Sequence, residues 1–143
     1  MRIVLDTNVL ISALFKKEST SARILDLWRQ QAVELLVSSE GLAEIERVLT
    51  YPKVQKRLVY NDGEVQEFLD LLRRASVVIH PDPMTPVVKA DPDDDKFVAL
   101  ALTGHAQYLI SGDGHLLDVG RVGDLHIVTP RVFLDRWQAH EAE

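Results

Sequence analysis

Five short apolar runs recur along the chain, separated by longer stretches with helical patterning. They are RIVL at residues 2–5, VELLV at 33–37, SVVI at 76–79, YLI at 108–110 and HIV at 126–128. Each is too short for a buried helix and most carry β-branched residues, so each reads as a strand. Between them, residues 7–15, 19–31, 40–50, 64–74 and 93–102 read as helices, and Pro130 suits the first turn of a last one. Ala22, Leu25 and Trp28, widened by Ile24 and Leu27, form one apolar stripe; Leu42, Ile45 and Leu49 form another; Val65, Phe68, Leu69 and Leu72 a third. Ser38 or Ser39 can cap the helix at 40–50, Pro52 stops it, and Asn61-Asp62-Gly63 reads as a turn. Strands that alternate with helices build a mainly parallel sheet, here of about five strands, covered on both faces. The fold class is therefore α/β, and 143 residues fit one domain spanning 1–143.

Composition removes several chemistries. There is no cysteine, which excludes disulfides, thiolate zinc sites, iron–sulfur clusters and a cysteine nucleophile. The five histidines are scattered without metal-ligand spacing. No apolar run approaches the roughly 20 residues that cross a bilayer. The N-terminal MRIVLDTNVLISALFKK is interrupted by Asp6 and Asn8 and lacks the order of a signal peptide, so the expected location is cytoplasmic.

The charge is placed unevenly. Residues 1–80 hold 11 basic and 11 acidic side chains, whereas residues 81–143 hold 5 and 11, so the net charge of −6 comes from the second part. Five of its acids are Asp91, Asp93, Asp94, Asp95 and Asp113. So local an excess reads either as a solvated acidic loop or as a cation site. The overall charge also disfavours strong non-specific binding to duplex DNA.

Ligands of open parallel sheets bind beyond the carboxyl ends of the strands, which ranks the acids. Asp6 follows the first strand directly and Asp113 follows the fourth after two residues. Glu44 lies on the helix after the second strand, and Asp95 opens the helix that leads into the fourth. Four carboxylates sharing one volume need a cation or protons. Oxygen ligands without thiolate or imidazole select Mg²⁺ or Mn²⁺, and such sites hydrolyse phosphodiesters.

The segments MRIVLDTNVLISAL, SSEGLAEIERVL, DPDDDKFVALAL, YLISGDGHLL and HIVTPRVFL, in this order and at these separations, resemble the PIN domain over nearly the whole chain. More narrowly they resemble the VapC-type ribonuclease toxins of toxin–antitoxin pairs. The resemblance implies a three-layer α/β/α sandwich and a metal-dependent endoribonuclease. It carries the family's acidic residues onto Asp6, Glu44, Asp95 and Asp113, as catalytic residues and ligands of Mg²⁺ or Mn²⁺, with Asn8 and Ser111 in support. It further implies an RNA substrate, a cognate antitoxin protein that blocks the acidic cleft, a homodimer, and no membrane.

Alternatives stand beside these readings. Asp6 can cap the helix after it, and Asp91 before Pro92 can cap the buried helix. Within DPDDD the alignment can slip, leaving Asp91, Asp93 and Asp94 as rivals of Asp95; Glu40 and Glu46 are rivals of Glu44. Lys16, Lys17, Arg47, Lys53, Lys56 and Arg57 can grip phosphates or form a solvated face, and no aromatic residues interleave them as a base-stacking motif does. A phosphatase of the haloacid dehalogenase type needs a carboxylate where Asn8 stands, and a receiver domain needs an acid where the third strand ends in Ile79-His80. A glycine-rich phosphate loop is absent. The remaining alternative is a non-catalytic PIN-like module that binds RNA or protein.

Overall fold

The structure is a computed structural model that describes residues 1–83 and 94–141. Along the chain run β1 (Arg2–Leu5), α1 (Thr7–Ser12), α2 (Thr20–Arg29), β2 (Glu34–Val37), α3 (Ser39–Val48), α4 (Pro52–Gln55), α5 (Asp62–Ala75) and β3 (Val77–Val78). Then come α6 (Asp95–Thr103), β4 (Tyr108–Ile110), α7 (Gly114–Val119), β5 (Arg121–Val122), β6 (Leu125–Val128) and α8 (Pro130–Glu141).

The strands form one six-stranded sheet in the order β3-β2-β1-β4-β6-β5. Every pairing is parallel except β5 with β6. The expectation of about five strands thus misses one. β5 has two residues, too few to show any period, and is folded back by a two-residue turn at Gly123-Asp124. Gly123 has φ of +58°, as glycine-first hairpin turns require.

Side-chain alternation along the strands builds the two faces. Ile3, Leu5, Leu35, Val37, Ile110 and Val128 point into one core, against α1, α2, α3, α5 and α8. Val4, Leu36, Leu109 and Ile127 point into the other, against α6 and α7. Period-two strands apolar on both faces are what a helix-covered parallel sheet demands, and the result is three layers. Burying each such aliphatic side chain contributes about 1.5–3 kcal/mol.

The helical stripes are buried largely as read. Ala22, Ile24, Leu25 and Trp28 of α2, Ile45 of α3 and Phe68, Leu69 and Leu72 of α5 lie in the first core. Several helix assignments differ from the sequence reading; α1 ends at Ser12 and α2 at Arg29, short of the expected 15 and 31. Pro52 does stop α3 but also starts α4, as its first residue. Asn61 caps α5 and forms a reciprocal capping box with Glu64, so Asp62 and Gly63 already belong to the helix. α7, six residues that begin at the second glycine of Gly112-Asp113-Gly114, is too short for periodicity to reveal. Asp91, Pro92 and Asp93 lie outside the described residues, so the capping role read for Asp91 does too; the described helix begins at Asp95 after Asp94.

The strand order has a consequence for function. β1 is central: the chain leaves it on one side for β2 and β3 and returns on the other side as β4. The carboxyl ends of β1 and β4 therefore flank the topological switch point, where loops diverge and leave a crevice.

Candidate active site

Asp6 is the first residue beyond β1 and is only 4% exposed. Two features fix it. Its Oδ1 accepts the Val9 backbone N–H at 2.8 Å, capping α1, and its Oδ2 accepts the Ser111 hydroxyl. Ser111, fully buried just beyond β4, also accepts the Asp113 backbone N–H at 2.9 Å through its Oγ. One hydroxyl thus ties the acid of β1 to the loop that carries the acid of β4. Burial raises the Asp6 pKa above the ordinary 3.8, and the nearby charge of Asp113 raises it further, against hydrogen bonds from Ser111, Val9 and Gly112.

Asp113 is half-buried and caps α7 by accepting the His115 backbone N–H at 2.7 Å. That hydrogen bond, with others from Asp94 and the Leu116 backbone, holds its carboxyl below the usual range. The Asp113 and Asp94 carboxyl groups therefore lie close together. Asp95, next in sequence, is buried at the head of α6.

Glu44 projects from α3 toward the same end of the sheet. Burial opposes its ionisation, but hydrogen bonds from Lys96 and Thr7, and the charges of Lys96 and Arg47, outweigh burial and lower its pKa. Lys96 of α6 donates directly to Glu44 Oε2. The rival Glu46 faces the other way and pairs with Arg73 of α5, while Glu40 is exposed in the first turn of α3. The helical offset of two residues between Glu44 and Glu46 separates them, as their spacing implies.

The crevice therefore brings Asp6, Asp113 and Asp94 together, with Glu44 joined to Lys96 beside them. Lys96 and Thr7 are the residues that sequence reasoning passed over. One signal was available: Lys96 is the only Lys or Arg between Lys89 and Arg121, in the acidic part of the chain.

A basic groove of about 550 Å³ opens along α1, the helix that Asp6 caps. Asn8, Ser12, Phe15, Lys53, Val54 and Arg57 contribute to its walls. The Arg57 guanidinium lies 4.2 Å over the Phe15 ring, and Lys17 lies 5.3 Å over Tyr60. The aromatic partners of this basic cluster are thus supplied by tertiary packing, not by interleaving in the sequence. Asn8 is exposed at the groove, one residue from Thr7.

Residues 2–115 match the sequence model of the PIN domain, a span that contains all four acids read from the sequence. The chain belongs to the PIN domain family. The uncharacterized protein MJ1680 of Methanocaldococcus jannaschii is a similar relative, 30% identical over 146 residues that cover 96% of this chain and 92% of that protein. The crystal structure of PAE2754 from Pyrobaculum aerophilum shares the fold, with a TM-score of 0.59 at 16% identity, over 97% of this chain and 90% of that one. No described helix is long and apolar enough to cross a membrane.

PIN domains are generally nucleases and generally use divalent metal ions. The donors of this PIN domain suit such an ion chemically. They are carboxylate oxygens, and the nearness of Asp94 to Asp113 sets two acidic groups side by side, which calls for a proton or a cation between them. The burial of Asp6 beside Asp113 is the same demand seen from the other strand. Geometrically the set is open: among the described residues no three acidic or histidine side chains stand close enough together to hold one ion.

Proposed function

We propose that this PIN domain is a metal-dependent endoribonuclease that hydrolyses RNA phosphodiester bonds, the toxin of a toxin–antitoxin pair. The observation that carries the reading is the meeting of Asp6 with the Asp113–Asp94 pair at the switch point of the sheet. Asp6, Glu44, Asp95 and Asp113 would hold Mg²⁺ or Mn²⁺. When bound, the ion supplies Lewis acidity toward the phosphodiester and acidifies water.

What the chain itself adds is position. The Val9 and Gly112 backbone N–H groups and the Ser111 hydroxyl hold the Asp6 carboxylate in one orientation. Ser111 sets the spacing between Asp6 and Asp113, and Thr7 steadies Glu44. Lys53 and Arg57 line a path by which phosphates flanking the cut reach the crevice. The antitoxin, the homodimer and a cytoplasmic location belong to the same proposal and rest on the family resemblance.

A specific observation favours a second reading, a non-catalytic PIN module that binds RNA or protein. Glu44 is already neutralised by Lys96. One experiment separates the two. A pool of single-stranded RNA is incubated with Mn²⁺, Mg²⁺ or EDTA and with wild type, Asp6→Asn or Asp95→Asn. The nuclease reading expects metal-dependent cleavage, lowered roughly 100-fold or more in both variants. Equal cutting by all three proteins would mean a contaminant and sink the reading. No cutting by any, together with no Mn²⁺ binding, would select the binding module.

A further inference from the structure

Glu44 and Lys96 are 52 residues apart in sequence, on helices of opposite layers, yet the ammonium donates directly to the carboxylate. Glu44 is the more buried partner, with its side chain 18% exposed against 37% for Lys96. The Lys96 stem does not trail in solvent. It lines a small apolar pocket with Thr7, Ser38, Gly41 and Ile45, so α3 and α6 hold the lysine against Glu44. Arg47 adds a second positive charge one helical turn from Glu44. The pair differs from a surface salt bridge, which is exposed and interchangeable.

We propose that Lys96 is a built-in counter-ion that competes with a divalent cation for Glu44. This rests on the reading of Glu44 as a metal ligand. A carboxylate aimed at an acidic crevice is unstable without positive charge, and Lys96 provides it when no dication is present. A dication that takes Glu44 must first displace the ammonium. Asp6 has no such partner among the contacts described above: the Ser111 hydroxyl and backbone N–H donors serve it instead, and these remain compatible with an added ion, while Asp113 meets backbone N–H groups, Asp94 and the charge of His115 but no lysine or arginine. Lys96 therefore sets how much metal is needed to complete the acidic set.

The test is Mn²⁺ binding by titration calorimetry, without RNA, at fixed ionic strength. Wild type, Lys96→Met, Lys96→Arg, Glu44→Gln and the Glu44→Gln/Lys96→Met double variant are compared. Circular dichroism melts in EDTA establish that each is folded. Releasing Glu44 from a charge-assisted bond is expected to tighten Mn²⁺ roughly tenfold in Lys96→Met. Lys96→Arg, which keeps the charge, is expected to stay within about twofold of wild type, and also covers a Met variant that fails to fold. In the Glu44→Gln background, Lys96→Met is expected to change nothing further.

The failures are distinguishable. If Lys96→Met tightens Mn²⁺ equally in the Glu44→Gln background, the lysine acts only through its distant field and direct competition is overturned. If Glu44→Gln weakens Mn²⁺ but Lys96→Met does not tighten it, the competition is wrong while the metal reading stands. Unchanged binding in Glu44→Gln overturns the proposal and removes Glu44 from the ligand set. An absence of Mn²⁺ binding in every protein overturns the metal reading together with the proposal.

Discussion

Ser111→Ala isolates what the buried hydroxyl does, and its effect on stability should depend on pH in a defined direction. Ser111 is fully buried, donates to the buried Asp6 carboxylate and accepts from the Asp113 N–H. A hydrogen bond to a charged group contributes about 1.5–3 kcal/mol, and one between neutral groups about 1 kcal/mol. The lost acceptor for Asp113 adds little, because that loop is partly open to water. The expected destabilisation is thus about 2 kcal/mol where Asp6 is ionised and about 1 kcal/mol where it is protonated.

The sign follows from linkage. Burial already places the folded-state pKa of Asp6 above its ordinary 3.8, so the native state binds more protons than the unfolded state above that value. Stability contributed by this group falls as pH rises from the unfolded to the folded pKa. Removing the Ser111 donor raises the folded pKa further, so the variant loses more stability than wild type over the same rise. Asp113 and Glu44 carry lowered pKa values, which contribute stability above the ordinary carboxylate range and lose it as pH falls. Those contributions largely cancel when variant and wild type are compared at one pH. Urea denaturation in EDTA at pH 4 and pH 8 reads the difference from the midpoints, with unchanged slopes as a control. A deficit that is flat with pH, or larger at pH 4, would refute the assignment of the hydroxyl to ionised Asp6.

Two other outcomes test the fold and the groove. His105 follows α6 in the left-handed region at φ +56°, where the Ala106 N–H reaches the Ala101 carbonyl at 2.8 Å, so His105→Gly is expected to stabilise the chain by about 0.5–1 kcal/mol, raising Tm by about 3 °C in a calorimetric scan. A lower Tm would show that the imidazole makes a compensating contact. Arg57→Ala should weaken single-stranded RNA binding in EDTA and reduce the slope of log affinity against log salt by about one, if the groove carries phosphate; an unchanged slope removes Arg57 from that path.

What the sequence made legible follows from how far each residue's role depends on its neighbours in the chain. β1 and β4 were readable to the residue because RIVL and YLI are apolar runs closed by Asp6 and Ser111. β5 and α7 were not, because two and six residues hold too little pattern for a period, and what makes them is a left-handed Gly123 and a cap at Asp113. The start of α4 was hidden for a different reason: Pro52 carries one signal, a missing N–H, that suits a helix end and a helix start equally.

The same distinction runs through the crevice. The positions of Asp6 and Asp113 were legible because a carboxylate at or within three residues of the carboxyl end of an apolar strand stays near that end, and parallel topology puts such ends on one side of the sheet. The capping role read for Asp6 as an alternative to the acidic site coexists with it, and Asp113 caps a helix as well. Lys96 was illegible because a lysine in the first turn of a helix normally reads as solvated, and its meaning arises only from Glu44, 52 residues away on the opposite layer. Charge bookkeeping along the chain could have singled it out, since an acidic crevice built without resident positive charge would repel itself. Patterns local in sequence revealed the scaffold and the acids at the strand ends. The group that balances those acids comes from the closure of two helical layers over the sheet, which no local pattern encodes.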